Sequence, residues 1–191
     1  MGTRCRRRTS LALLYAYNDM PVTMYIPITE AEMRGIRLLA QGRYNPKIER
    51  GMGDLDMGND GLDAHVQGLL GEYAVAKALN ITLDLSLTLH GDDKRDLHLS
   101  DGRGIEVKYR NKRGYDFALR STDPAEFVAE IGVLVWPAEG GAEIVGCISR
   151  QKFLKVAKVA DYGYGKRLVA GPEHFTPLEI ALEHCRGSRV A

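Results

Sequence analysis

Asp96 is followed ten residues later by Glu106-Val107-Lys108, two carboxylates and an ammonium that β-geometry can gather in one place. Carboxylates brought close repel each other and need a compensating cation or proton. Mg²⁺ suits such a pair, because it takes oxygen ligands, keeps several waters and needs one or two carboxylates beside a substrate phosphate. A cation held there lowers the pKa of its water and neutralises charge on the phosphate. Lys108 would point to the same spot, to orient the attacking water or stabilise developing negative charge.

The elements that must position these groups are legible in the alternation. Leu97 and Leu99 alternate with Asp96, His98 and Ser100, and Ile105, Val107 and Tyr109 alternate with Glu106, Lys108 and Arg110. Both are period-two patterns of half-buried strands. A two-residue turn would place Leu97 opposite Glu106 and mix the faces. A three-residue loop, Ser100-Asp101-Gly102 with Gly102 left-handed, pairs Leu97 with Ile105 and Asp96 with Glu106. A one-residue slip flips every side chain, so the pattern predicts the second register.

Upstream, residues 60–80 predict a helix on the spacing of Leu62, Val66, Leu69, Leu70, Tyr73 and Ala76, with Asn59 or Asp60 as N-cap. Gly68 and Gly71 inside it imply close packing against a neighbour. Glu72 borders the apolar stripe and is expected to point toward the sheet margin.

A helix with Gly71-Glu72, an alternating strand, a strand opening at Asp96 and then Glu106-Val107-Lys108 together resemble the PD-(D/E)XK nuclease superfamily, in a compact phage-type form, over residues 60–150. The resemblance implies an α/β fold, a restriction-endonuclease-like α-β-β-β-α-β core with a mixed central sheet flanked by helices. It also implies a metal-dependent deoxyribonuclease, with Mg²⁺ or Mn²⁺ held by Asp96, Glu106 and the Val107 carbonyl. Glu72 is then an accessory acid and Lys108 the catalytic lysine. The strand-like segments 129–136 and 144–149 fit the same order. Arg95 stands where the family's proline would be. Asp92 and Asp93 compete for the aspartate role, which Asp96 takes because it opens the alternation; Asp93 remains available to a second metal. Relatives that pair to cut two strands make a homodimer an expectation, and a phage origin would place the protein in the host cytoplasm. The alternative is a non-catalytic DNA-binding or assembly protein that keeps the fold.

Length and composition set the bounds. At 191 residues, with 45% hydrophobic and 27% charged residues, the chain is expected to form one globular domain. The expected organisation is a basic N-terminal arm over 1–24, a domain over 25–185 and a tail over 186–191. Cys5, Cys147 and Cys185 make neither a disulfide framework nor a zinc spacing, which predicts a reducing, cytoplasmic setting. No apolar run approaches the roughly 18 residues of a membrane span, so no membrane association is expected.

Further elements follow from punctuation. Thr29-Glu30-Ala31-Glu32 is a capping box opening a helix to about residue 41, and 42–60 reads as a loop. Strands are predicted at 81–89, 115–119, 130–136 and 142–148, a short helix at 124–129, a helix from Ser149 to Val159, a loop at 162–165 and a last helix at 177–182.

Net charge is +1, so any electrostatic signal lies in its distribution. Six basic residues against two acids occupy 103–120, and six against Asp161 alone occupy 150–167. Such stripes neutralise phosphates and drive salt-sensitive binding. Arg110, Lys112, Arg113 and Tyr115 are the expected nucleic-acid contacts, with DNA as the partner. Tyr162 and Tyr164 are further rings on which bases can stack.

Overall fold

The computed structural model describes residues 22–49, 61–83, 85, 95–163 and 165–179. In chain order the elements are β1 (Met24–Pro27), α1 (Glu30–Glu49), α2 (Gly61–Leu79), β2 (Leu97–His98), β3 (Gly104–Tyr109), β4 (Phe117–Ala118), a 3-10 turn (Pro124–Glu126), β5 (Ile131–Ala138), β6 (Gly141–Ser149), α3 (Arg150–Val156), β7 (Lys158–Asp161), β8 (Lys166–Ala170) and a second 3-10 turn (Pro172–His174). The fold is α/β. A five-stranded mixed sheet runs β1-β6-β5-β3-β2, and a three-stranded sheet runs β4-β8-β7. Only the β3–β5 pair is parallel within these sheets.

Each face of the large sheet has its own core. On one, Ile105, Val107, Val133, Val135 and Ile144 pack on Ala74, Val75 and Ala76 of α2. On the other, Leu134, Trp136, Val145 and Ile148 meet Phe117, Phe127, Phe153 and Phe175, all four of the chain's phenylalanines. Ring centroids there lie 5.1–5.8 Å apart, within the range of favourable tilted and edge contacts. A smaller cluster of Ile36, Ala40, Leu69 and Leu70 joins α1 to α2.

The helix glycines play different parts. A Cβ on Gly71 would come within 2.9 Å of the Tyr109 Cβ and 3.3 Å of the Val107 Cγ1, so the missing side chain lets α2 settle on β3. Gly68 has open space around it.

The capping box forms. Thr29 Oγ1 accepts from the Glu32 N–H at 3.2 Å, and Glu32 Oε2 accepts from the Thr29 N–H at 2.7 Å. The other Glu32 oxygen accepts from Lys77 Nζ at 2.7 Å and from the Tyr73 hydroxyl at 2.7 Å, while Lys77 also donates to the Pro27 carbonyl at 2.8 Å. One carboxylate thus starts α1 and ties it to α2. Its pKa falls from 4.5 to about 2, chiefly through Lys77, then the Thr29 N–H and Tyr73.

Several expected boundaries change. Helix α1 continues to Glu49, so 42–49 is helical, and 50–60, with the proposed N-caps Asn59 and Asp60, lies outside the described residues. The strand expected over 81–89 is not seen at 81–83, where the chain leaves α2 with the Ile81 N–H donating to the Ala76 carbonyl at 3.0 Å; 84 and 86–94, including Asp92 and Asp93, lie outside the described residues. One edge of the large sheet is β1, an unpredicted strand that begins at Met24, the last residue of the expected arm, and runs into the domain. The expected 124–129 helix is a 3-10 turn capped by Asp123, whose Oδ1 accepts from the Ala125 N–H at 2.9 Å. Helix α3 ends at Val156, because the chain turns extended at Ala157 and enters the unpredicted β7–β8 hairpin. Residues 178–179 are helical and Pro177 is not; 180–191, with the rest of the last predicted helix, lie outside the described residues, as do 1–21. Among the described residues no helix is long and apolar enough to cross a membrane.

Two expectations follow. Gly71→Ala should lower unfolding stability by about 1–2 kcal/mol through overpacking, whereas Gly68→Ala should raise it by about 0.5–1 kcal/mol through helix propensity; urea unfolding of the two variants reads the contrast. Glu32 favours its charged form in the folded state, so its stabilisation is complete above its ordinary value of 4.5 and is lost as pH falls toward about 2. Glu32→Gln should therefore flatten the acid limb of a stability–pH curve while lowering its neutral plateau.

Candidate active site

The hairpin closes in the register that the alternation predicts. Leu97 pairs with Ile105 and His98 with Gly104. The Asp96 N–H donates to the Ile105 carbonyl at 2.8 Å, the Leu99 N–H to the Arg103 carbonyl at 2.9 Å and the Gly102 N–H to the Leu99 carbonyl at 2.9 Å. Gly102 has φ +88°, a left-handed conformation that costs a side-chain-bearing residue energy. Asp101 secures the loop by accepting from the Arg103 N–H at 3.1 Å and from its guanidinium at 2.7 and 2.9 Å. The strand pairing ends at Leu97, and at Asp96 the chain bends with its N–H still held by the Ile105 carbonyl.

Asp96 does more than face its neighbour. Its Oδ2 accepts from the Val107 N–H at 2.6 Å, taking the place of a strand partner where β2 has ended. The Ile105 carbonyl and Val107 N–H both point to this side of β3, and strand geometry turns the Val107 carbonyl the same way. Glu106 and Lys108, on alternate positions of the strand, are ion-paired through Oε1 and Nζ. Their side chains are only 16% and 28% exposed, so the pair is largely withdrawn from water.

Their surroundings explain the withdrawal. Glu106 and Lys108 lie beside Gly132 and Leu134 of β5 in the parallel register, on the phenylalanine-lined face. A Cβ on Gly132 would approach the Phe117 ring to 2.8 Å, so glycine makes room for the ring next to Glu106. Arg95 and Glu130, neither of them an expected site residue, hold the start of the hairpin. Glu130 accepts from the Gly104 N–H at 2.6 Å and from the Arg95 guanidinium at 3.4 Å, and the Gly104 N–H is the main cause holding its pKa below the ordinary range. Arg95 crosses above Gly104, where any Cβ would overlap its side chain.

Glu72 approaches from the other layer. It belongs to the helix that rests on Val107 and Tyr109, the opposite face of β3 from Glu106 and Lys108. Its Oε2 lies 3.5 Å from Arg43 Nη1, both side chains being 18% exposed. The structure thus gathers Asp96, Glu106, Val107 and Lys108 around one strand and sets Glu72 on the neighbouring helix.

The basic residues after the strand divide by role. The Arg110 N–H donates to the Val135 carbonyl at 2.9 Å, extending the ladder past Tyr109 and keeping Arg110 on the side of Glu106 and Lys108. Arg110 and Lys112 each lie 5.9 Å from the centroid of the Tyr115 ring. Arg113 is spent on the protein itself, paired with Glu143 at 2.6 Å and lying 5.8 Å over Trp136. Tyr162 donates to Asp116 at 2.8 Å, and Tyr164 lies outside the described residues.

Among the described residues no three His, Cys, Asp or Glu gather into a metal-holding group. The donors at the hairpin are two carboxylates and a carbonyl, an all-oxygen set that suits a hard cation retaining several waters. Asp96→Ala should leave the Val107 N–H without its acceptor and cost about 1–3 kcal/mol. Asp96→Asn keeps an oxygen for that bond and should recover most of the loss, as measured by urea unfolding.

No protein-family model matches the chain, and no curated protein matches it in sequence.

Proposed function

We propose that this protein is a metal-dependent DNA nuclease whose centre is the Asp96–Glu106–Lys108 cluster. The observation that carries the reading is the Asp96 carboxylate accepting from the Val107 N–H at 2.6 Å, at the edge of the strand that bears the Glu106–Lys108 ion pair. Asp96, Glu106 and the Val107 carbonyl would hold Mg²⁺ or Mn²⁺. When bound, the metal supplies an acidified water and charge neutralisation at the phosphate.

The chain's own residues account for the rest of the chemistry. Val107's N–H fixes the Asp96 carboxylate before any ligand arrives, which is preorganisation of the kind that lowers a barrier. The half-buried Glu106–Lys108 pair holds each charge in place in the absence of substrate. An arriving phosphate competes with Glu106 for the Lys108 ammonium, which then steadies negative charge on the phosphate or orients the attacking water. Glu72, paired with Arg43 on the helix across the strand, would act as an accessory acid only by leaving that pair to reach the edge where Asp96 lies. Lys112, exposed and beside the Tyr115 ring, joins Arg110 and Tyr115 in carrying the DNA strand away from the centre.

The test is a panel of labelled single-stranded, duplex and branched DNA with and without Mn²⁺. Cleavage should require the metal and fall by about 100-fold or more in Asp96→Asn and Lys108→Ala, with circular dichroism unchanged. DNA binding without cleavage on every substrate would favour a non-catalytic DNA-binding protein. No DNA affinity at low salt would sink both readings.

A further inference from the structure

A cavity of about 430 Å³ opens where β3 runs out, lined by Arg110, Gly114, Tyr115, Asp116, Tyr162 and Arg167. That volume is in the range of small-ligand sites. Its wall joins two separate parts of the chain, the loop after β3 and the β7–β8 hairpin. The Tyr162 hydroxyl, donating to Asp116 at 2.8 Å, ties the two together.

Two guanidiniums and one carboxylate line it. Arg110 and Arg167 face the same space and repel, and Asp116 is the carboxylate among the lining residues. Arg110 Nε is buried and finds no hydrogen-bond partner among the described residues. Burial first, and then the charge of Arg167, push the Arg110 guanidinium below its ordinary range. A buried donor left unmade is costly, and two guanidiniums beside each other are relieved by a shared anion. Next to them Tyr115 and Tyr162 present exposed aromatic surface, 42% and 50% accessible. Phosphate-binding cations next to open tyrosine rings are the chemistry of a nucleotide subsite.

We propose that this cavity binds one nucleotide unit, its phosphate between Arg110 and Arg167 and its base against the tyrosine walls, with Asp116 available to accept from a base amine. The choice of a nucleotide rests on the nuclease reading, and the geometry links the two places. Arg110 follows Lys108 by two residues on the same side of the strand, about 7 Å along it. The subsite would therefore take a nucleotide adjoining the scissile phosphate and set the position of the strand over Glu106 and Lys108.

The experiment uses the full chain without divalent metal and titrates the four deoxynucleoside 5′-monophosphates, inorganic phosphate and deoxynucleosides by calorimetry. Trp136 offers a second readout, because this single tryptophan donates from Nε1 to the Tyr115 carbonyl at 2.9 Å. At least one monophosphate should bind about tenfold or more tighter than either phosphate or its nucleoside, and change the Trp136 emission. Arg167→Ala should weaken monophosphate and phosphate alike by about tenfold, while Tyr115→Ala should weaken the monophosphate and leave phosphate unchanged. Asp96→Asn should bind as the native chain does. If no monophosphate outdoes inorganic phosphate, or if Arg167→Ala and Tyr115→Ala leave binding intact, the subsite is refuted. Monophosphate binding without DNA cleavage would uphold the pocket and refute the nuclease; metal-dependent cleavage without monophosphate binding would do the reverse.

Discussion

Strand β3 has to satisfy two faces with different demands, and the rest of the structure follows from how it does so. Ile105 and Val107 must be buried, and α2 buries them by bringing Gly71 down onto the strand. Glu106, Lys108 and Arg110 alternate with them and so fall on the phenylalanine-lined side. Charged groups beside an aromatic core are costly unless they are paired or hydrogen-bonded. The strand meets that constraint by matching Glu106 with Lys108, and the cavity past its end receives Arg110. A row of polar groups along one strand is thus the consequence of an alternation that the apolar face enforces.

The supports for this row come from distant parts of the chain. Phe117 and Phe127 press on Gly132 beside Glu106, Glu130 and Arg95 clasp the opening of β3, and Asp96 occupies the hydrogen-bonding edge that β2 vacates. These contacts hold the backbone of the hairpin on three sides. They also set different tolerances. Gly132 and Gly104 are places where any side chain meets an atom already present, whereas Gly68 lies in open space.

Legibility in the sequence tracked how local the cause was. The hairpin register was readable because alternation on two short segments and one left-handed glycine decide it together. The capping box and the Asp123 cap were readable for the same reason, each being a bond within a few residues. Strands β1, β7 and β8 were missed. β1 has four residues whose identity as a strand depends on pairing with β6, more than a hundred positions away. The β7–β8 hairpin follows α3 directly, and Lys158 and Val159 continue an apparently helical segment until tertiary pairing claims them. The candidate site shows the same division. Asp96, Glu106 and Lys108 are set by one hairpin, but the meeting of Arg110 with Arg167, and of Glu130 with Arg95, needs the folded chain. The pairing of Arg113 with Glu143, thirty positions away, likewise needs the folded chain.

The hydrogen bond from the Val107 N–H to Asp96 bears on solubility as well as chemistry. A strand edge with open amides is a template on which another chain can add a strand, and proteins commonly blunt such edges with charge or by keeping them short. Here β2 covers only the first part of β3, and the next amide on that edge is met by a carboxylate. A second chain approaching in β-geometry would have to displace a short, charge-assisted bond and bring its own carbonyls against an anion. The carboxylate at the centre of the hairpin's candidate chemistry thus also closes, among the described residues, the next amide on which a foreign strand would pair.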